Sequence, residues 1–301
     1  MQKKQNIALI GCGTISKYYI NAIIKDSDFN LIAICDIDTQ QLNLNNVYKT
    51  DNFDNILKMD DVDSIIISLP NYLHYSFSKQ ALEHKKNVCC EKPLTFTSCE
   101  TKKLQELAQV NKVVLFTAFH RRYNKHFASY KFKNDTINKV TLNYRENVAR
   151  ENIDKWYFNA DLSGGGCLID SGPNAFDMLY TISNQIEIYD VIIKDNFLKN
   201  IDSEVNITGI LDKNIIFEIN LSWQFETENK ELTVYYRNKT SDNIDLLANS
   251  IEFKSSMFYE YIKVLKDFKN RIYQNLFIDN RDLEIVKYIE QSYQIGKNNN
   301  V

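Results

Sequence analysis

Along the first 119 residues, short apolar runs alternate with amphipathic stripes. The runs lie at Ile7–Ile10, Leu31–Cys35, Ser64–Ser68, Val88–Cys90 and Val113–Ala118. They are rich in Ile and Val and do not alternate with polar residues, which predicts parallel strands buried on both faces. Between them, Ile15, Tyr18, Tyr19, Ala22 and Ile23 recur at the spacing of an amphipathic helix. Phe53, Ile56 and Leu57 begin a second stripe, and Asn71 to Lys85 reads as a third helix. Thr97 and Glu100 fit a capping box that opens a fourth, with Leu104, Leu107 and Ala108 on its inner face. Strand–helix–strand repetition predicts an α/β domain over residues 1–119, built on a doubly wound parallel sheet with right-handed crossovers.

Beyond about residue 120 the pattern changes. Val140–Tyr144, Ile186–Ile193, Val205–Leu211, Ile215–Trp223, Leu232–Tyr236 and Ile244–Leu247 read as strands. Several alternate, as in Phe217, Ile219, Leu221 and Trp223, which suits a sheet with one face solvated or used for association. A helix is expected from about Asn174 to Ser183. Two C-terminal stripes, one through Phe258, Tyr261, Ile262, Leu265 and Phe268 and one over Leu283–Tyr293, return to helix. Residues 120–301 are thus expected to form an α+β domain on a large, mainly antiparallel sheet.

Length and charge narrow the function classes. A chain of 301 residues can build two domains, each with its own core. A net charge of −3 argues against the basic surface that nucleic acid or an anionic membrane would require. The N-terminal apolar run is too short for a secretion signal, and no stretch approaches the ~18 apolar residues of a membrane span, so a cytoplasmic protein is expected. Six cysteines occur, none in a C-x-x-C pair and none at zinc-finger spacing from a histidine. Cys12, Cys35 and Cys89 lie in apolar segments and read as small buried hydrophobes, so no metal is expected.

The first candidate chemistry is a phosphate-binding turn. Gly11-Cys12-Gly13-Thr14-Ile15-Ser16 follows the first strand and opens the first helix. That context is what a dinucleotide fingerprint needs: one glycine for the turn, a second for close approach to the pyrophosphate, and a helix N-terminus facing it. Ser16 stands where a third glycine is common and is small enough for close helix–strand packing. Asp36 ends the second strand, placed to accept from ribose hydroxyls and to repel a 2′-phosphate, with Asp38 adding charge; NAD is favoured over NADP. The alternative is that Asp36 simply ends a strand in a turn. Leu69-Pro70-Asn71 follows the third strand at the cofactor edge, with Asn71 able to cap the next helix. His74, one turn on, is open between a contact with the nicotinamide ribose and an ordinary helix-start histidine.

Two further motifs complete the pattern. Cys90-Glu91-Lys92-Pro93 ends the fourth strand, and Gly164-Gly165-Gly166-Cys167-Leu168-Ile169-Asp170-Ser171-Gly172-Pro173-Asn174-Ala175-Phe176-Asp177 lies far downstream. With the glycine turn, Asp36, Pro70-Asn71, His74 and the Arg122-Tyr123 segment, they make the sequence resemble the Gfo/Idh/MocA family over nearly its whole length. The resemblance implies a nucleotide domain and a sheet domain facing across a cleft, with hydride passing between NAD and a carbon of a sugar or polyol. It implies a cofactor site of Gly11, Gly13, Thr14, Ile15, Asp36, Leu69, Pro70, Asn71, His74, Glu91 and Lys92. Lys92 matches the family's catalytic lysine and Asp170 its substrate-binding or proton-relay aspartate, the two converging beside the nicotinamide.

At the position of Asn174 the family usually carries a histidine that acts as general acid/base. Asparagine cannot titrate near neutral pH; it only donates and accepts hydrogen bonds. Lys92 becomes the leading proton acceptor, since burial and a positive nicotinamide ring both lower a lysine pKa from its usual ~10.4. Asp170 can orient Lys92, hold the substrate hydroxyl or relay the proton, while Asn174 positions the hydroxyl. Two substrate readings stay open. The Asp170-x-Gly-x-Asn174 pattern resembles aldose 1-dehydrogenases, implying oxidation at C1 to a lactone; the other is a secondary hydroxyl or keto-sugar, such as inositol or a nucleotide sugar. A non-catalytic NAD- and sugar-binding regulator is the alternative of another class.

Other residues carry paired readings. His120 can supply the missing imidazole or be a hinge histidine bonded to backbone. Trp156, with Tyr157 beside it, can stack on a sugar ring or pack in the core. Arg122, next to Tyr123, can bind an anionic substrate group or pair with an acidic residue between domains. The three glycines at 164–166 are expected to let a loop approach closely, presenting Asp170 just before the helix. A homodimer or homotetramer is expected by analogy.

Overall fold

The computed structural model describes residues 4–25, 28–38, 44–133, 136–148, 155–194, 201–249 and 255–299. The chain divides into two compact units, Met1–His120 with Met257–Leu283 and Arg121–Ser256 with Glu284–Val301.

The first unit is built on six strands: β1 (Gln5–Ile10), β2 (Phe29–Cys35), β3 (Tyr48–Thr50), β4 (Ser64–Ile67), β5 (Asn87–Glu91) and β6 (Leu115–Ala118). They lie in the order β3-β2-β1-β4-β5-β6, and every pairing is parallel. The order reverses at β1, so two crossovers diverge there and leave a crevice at the carboxyl ends of the strands. Four helices connect them: α1 (Ser16–Lys25), α2 (Phe53–Leu57), α3 (His74–Glu83) and α4 (Ser98–Asn111). The continuous Ile/Val runs are buried because helices cover the sheet; Ile56, Leu82 and Leu104 pack over Ala8, Ile65, Val88 and Leu115. The Thr97–Glu100 capping box forms with both reciprocal hydrogen bonds. The three-residue β3 is too short to show as an apolar run. The third helix is split, with a 3₁₀ turn over Asn71–Leu73 ahead of α3.

The first unit also takes back helix α8 (Met257–Gln274). Its apolar stripe finds partners there: Phe268 packs on Phe116 with ring centres 5.8 Å apart, and Tyr261 lies against Tyr18 and Tyr19. Lys269 pairs with Asp28 at 2.5 Å.

The second unit holds β7 (Ile137–Asn147), β8 (Ile186–Lys194), β9 (Glu204–Leu211), β10 (Ile215–Ser222), β11 (Gln224–Tyr236) and β12 (Ser241–Asp245), in the order β12-β11-β7-β10-β9-β8. Only β7 and β10 run parallel. On one face Val140, Leu142, Phe217, Ile219, Leu232 and Val234 stand in register and are fully buried. The other face carries a polar network beside exposed Ile216 and Tyr235: Asn206 donates to Asn220, Asn220 to Asn143, and Asn143 and Asn243 both donate to Glu231, a chain of side chains crossing five strands. This register starts β12 three residues earlier than its apolar residues suggest. The first half of β11 has one apolar residue, Phe225, and gives no apolar run.

The helices of this unit are α5 (Lys125–Ser129), α6 (Ala160–Ser163) and α7 (Cys167–Ile182); α9 (Asn280–Asn299) closes the chain. Helix α7 begins at Cys167, earlier than the expected start near Asn174, and Pro173 lies inside it. Among the described residues no helix is long and apolar enough to cross a membrane.

Candidate functional site

At the carboxyl end of β1 the chain turns through Gly11 and Gly13 into α1. Gly11 has φ of 90°, and a Cβ there would lie 2.5 Å from the Ser68 carbonyl oxygen, so only glycine fits. The turn is tied down from three sides. Gly11 donates to the Cys35 carbonyl, the Ser68 hydroxyl donates to the Gly11 carbonyl, and the Ser16 hydroxyl donates to the Gly13 carbonyl. Gly13 differs: apart from its chain neighbours, no protein atom lies within 4 Å of where its Cβ would stand. Nothing in the protein demands glycine there, and the open space lies at the first turn of a helix, where a dinucleotide pyrophosphate belongs. The residues fit that cofactor. Thr14 is exposed and Ile15 half-buried beside it.

Asp36 is half-buried at the end of β2. One carboxylate oxygen accepts from the Cys12 amide at 2.6 Å and the other from the Asp38 amide at 2.8 Å. It therefore braces the glycine turn. A carboxylate offers about four lone-pair sites, so two backbone donors leave capacity for ribose hydroxyls. Burial and the Asp36 charge push the Cys12 thiol up to about 12, which keeps it neutral and adds no second charge at the turn. Beside Asp36, Ile37 is 96% exposed, an apolar side chain that sequence reading passed over.

The ends of β4 and β5 carry the next group. His74, 1% exposed, has Nε2 2.8 Å from the Leu69 carbonyl and Nδ1 2.6 Å from the Pro93 carbonyl. Both ring nitrogens thus face protein backbone. Burial pushes its pKa down and the Lys92 charge adds to this, against the opposing pull of the two carbonyls. The expected Asn71 cap does not form: Pro70 is the cap residue of the 3₁₀ turn, and no side chain caps it. Glu91 is buried, and its Oε1 accepts from Tyr19 at 2.8 Å and Tyr261 at 2.7 Å. Burial raises its pKa, opposed by these two hydroxyls. Lys92, directly after it, is half-buried.

His120, at the end of β6, has Nδ1 2.6 Å from Glu260 of α8, with both side chains buried, and its ring stacks on Tyr261. One partner of this histidine is thus a carboxylate. From sequence, Tyr19 and Tyr261 read only as members of helical stripes, and Glu260 carried no signal.

In the second unit, the last glycine of the run is explained by Asp202. Asp202 accepts from the Gly166 amide at 2.8 Å and the Leu168 amide at 2.7 Å, and its Oδ1 also accepts from the Tyr293 hydroxyl. Its backbone carbonyl accepts from Cys167 at 2.8 Å. A Cβ on Gly166 would collide with the Asp202 backbone. This remote carboxylate caps α7 and moves its start upstream, so Asp170 sits in the first turn and not ahead of it. Between Cys167 and Leu179 every residue except Asp170 is buried, so Asp170 is the one side chain there that reaches the surface of the unit. Asn174 is fully buried.

Arg122 meets Asp177 in a two-point pair, Nε to Oδ2 at 2.9 Å and Nη2 to Oδ1 at 2.5 Å, within the same unit. Its guanidinium also lies 5.8 Å from the ring centre of the half-buried Tyr123. Trp156 is half-buried with its ring centre 4.1 Å from that of Tyr157, which in turn packs on buried Trp223.

Parts of the chain are similar to known proteins. Residues 5–119 fit the model of the oxidoreductase family with the NAD-binding Rossmann fold, GFO_IDH_MocA. The oxidoreductase YrbE of Bacillus subtilis (strain 168) is 28% identical over 204 residues, covering 63% of this chain and 57% of YrbE. The myo-inositol 2-dehydrogenase of Thermotoga maritima is 25% identical over 221 residues, covering 70% of this chain and 63% of that enzyme. The aligned part of the chain therefore spans about three-fifths of these relatives. Among solved structures, GenD2 from gentamicin A biosynthesis, in complex with NAD, superposes with a TM-score of 0.87 at 16% identity, covering 99% of this chain and 95% of GenD2. At that identity the likeness is one of fold.

Proposed function

We propose, from the match of residues 5–119 to that family of NAD-binding oxidoreductases, that the chain is a Gfo/Idh/MocA oxidoreductase and acts as an NAD(H)-dependent dehydrogenase on a carbon of a sugar or polyol. The observation that carries the reading is the open glycine turn at Gly13, braced by Asp36. NAD bound there supplies hydride acceptance or donation at the substrate carbon. Gly13, Thr14 and the α1 N-terminus hold the pyrophosphate, and Asp36 holds the ribose hydroxyls and repels a 2′-phosphate.

The remaining chemistry belongs to the chain's own groups. Oxidising an alcohol requires a proton to leave oxygen as hydride leaves carbon. Lys92 accepts that proton, because Asn174 cannot. Asp170, emerging from a buried helix, holds the substrate hydroxyl or passes the proton to water. Arg122 is committed to Asp177, and the chemistry does not require it to bind substrate. The absence of an imidazole at position 174 favours an acidic hydroxyl, and the anomeric hydroxyl of an aldose meets that condition. Oxidation at C1 to a lactone is the substrate reading this supports best. The chain works as a homodimer or homotetramer in the cytoplasm.

A panel of aldoses, inositols and nucleotide sugars with NAD, read at the nicotinamide absorbance band, tests the activity. Reduction of NAD by an aldose with lactone release is expected. Lys92→Met should lower kcat by about 10²- to 10⁴-fold, the usual worth of a general acid/base, while leaving NADH affinity in place. Normal turnover in that variant removes Lys92 from the mechanism. Binding of NAD and a sugar without any hydride transfer would make the chain a sensor.

A further inference from the structure

We infer that His74 is a positioning residue, which fixes the site of Lys92 by bridging the loops that leave β4 and β5. The inference rests on the reading of Lys92 as the proton acceptor.

The two carbonyls that face the imidazole come from different crossovers. Leu69 directly precedes Pro70-Asn71 after β4, and Pro93 directly follows Lys92 after β5. The ring is 1% exposed and lies at the first residue of α3, so its own backbone is held by the helix. Whichever nitrogen carries the proton, the ring spans the gap between the two loops, and a rigid ring sets that gap. On the other side of Lys92, the Glu91 carboxylate is gripped by Tyr19 from α1 and Tyr261 from α8. The residues before and after Lys92 are therefore each tied to buried groups, while Lys92 itself is half-buried. A lysine brings a long, flexible side chain, and misplacing a reacting group by about 1 Å can cost about 10²-fold in rate. Pinning the backbone on both flanks answers that problem. Each ring nitrogen lies against a main-chain carbonyl, and a neutral ring donates to one of the two.

The test compares His74→Ala and His74→Gln with Lys92→Met in the full chain. The readouts are kcat, KM for the sugar and NADH affinity by fluorescence, each per folded molecule. His74→Ala is expected to lower kcat at least about tenfold, with KM and NADH affinity changing by less than about threefold, because only the placement of the proton acceptor suffers. His74→Gln, which keeps one donor toward one carbonyl, is expected to recover part of the loss; it carries the test alone if the alanine variant does not fold. Full kcat in a folded His74 variant, with Lys92→Met inactive, overturns the inference and leaves the proposed function standing. A fall in NADH affinity matching the fall in kcat also overturns it, since the histidine would then serve the cofactor site. Full activity of Lys92→Met brings down the underlying reading instead.

Discussion

The turn at Gly11–Gly13 and the run at Gly164–Gly166 both lead the chain into a helix N-terminus, where unpaired amides and the positive end of the dipole favour an anion. At α7 the anion belongs to the chain. Asp202 takes the Gly166 and Leu168 amides, and Gly165 and Gly166 are there because the Tyr293 ring and the Asp202 backbone leave no room for a Cβ. At α1 the same kind of terminus faces open space at Gly13, and the nearest carboxylate, Asp36, braces the turn from the side at Cys12. One glycine-rich turn is a closed joint and the other an open receptor. What separates them is whether a remote residue has filled the position of the anion.

Substitutions can break or sharpen that contrast. The largest effect is expected at Gly166→Ala, where a Cβ would strike backbone that cannot yield. It should destabilise the chain by more than about 4 kcal/mol in a denaturant melt, the range of severe core lesions. A near-normal melt would show that the joint at α7 is loose. Asp202→Asn is next. It replaces a charge-assisted acceptor of two amides and a hydroxyl, and should cost about 2 kcal/mol and fray the start of α7. A neutral outcome there would mean that the glycines, not the carboxylate, set the helix start.

Much of this architecture could be read before the fold was known. Apolar runs marked every strand of the parallel sheet except the three-residue β3, because strands buried on both faces have no polar side. The Thr97–Glu100 box could be read because both of its hydrogen bonds are local. The features that escaped all depend on distant partners. The start of α7 is set by a carboxylate 36 residues from Gly166, against the local signal of Gly172-Pro173. Gln224 and the polar residues from Asn229 to Glu231 form strand because β7 is there to pair with, not because of their own pattern. The stripe of α8 announced a helix, but an apolar stripe says nothing about which sheet it covers. Within the candidate site, the glycine turn was legible as a motif. The commitments of His74, Glu91, His120 and Arg122 were not, since each partner lies in another element.

The central claim is that the open turn at Gly13 receives the NAD pyrophosphate. It is tested most directly by titrating NADH onto the wild-type chain and onto Gly13→Ala, with a melt of each. Gly13→Ala meets no protein atom, so its stability should match wild type within about 0.5 kcal/mol. Its NADH affinity should fall at least about tenfold, equivalent to about 1.4 kcal/mol of binding. Equal affinity in the two proteins, or no NADH binding by the wild type, would contradict the account.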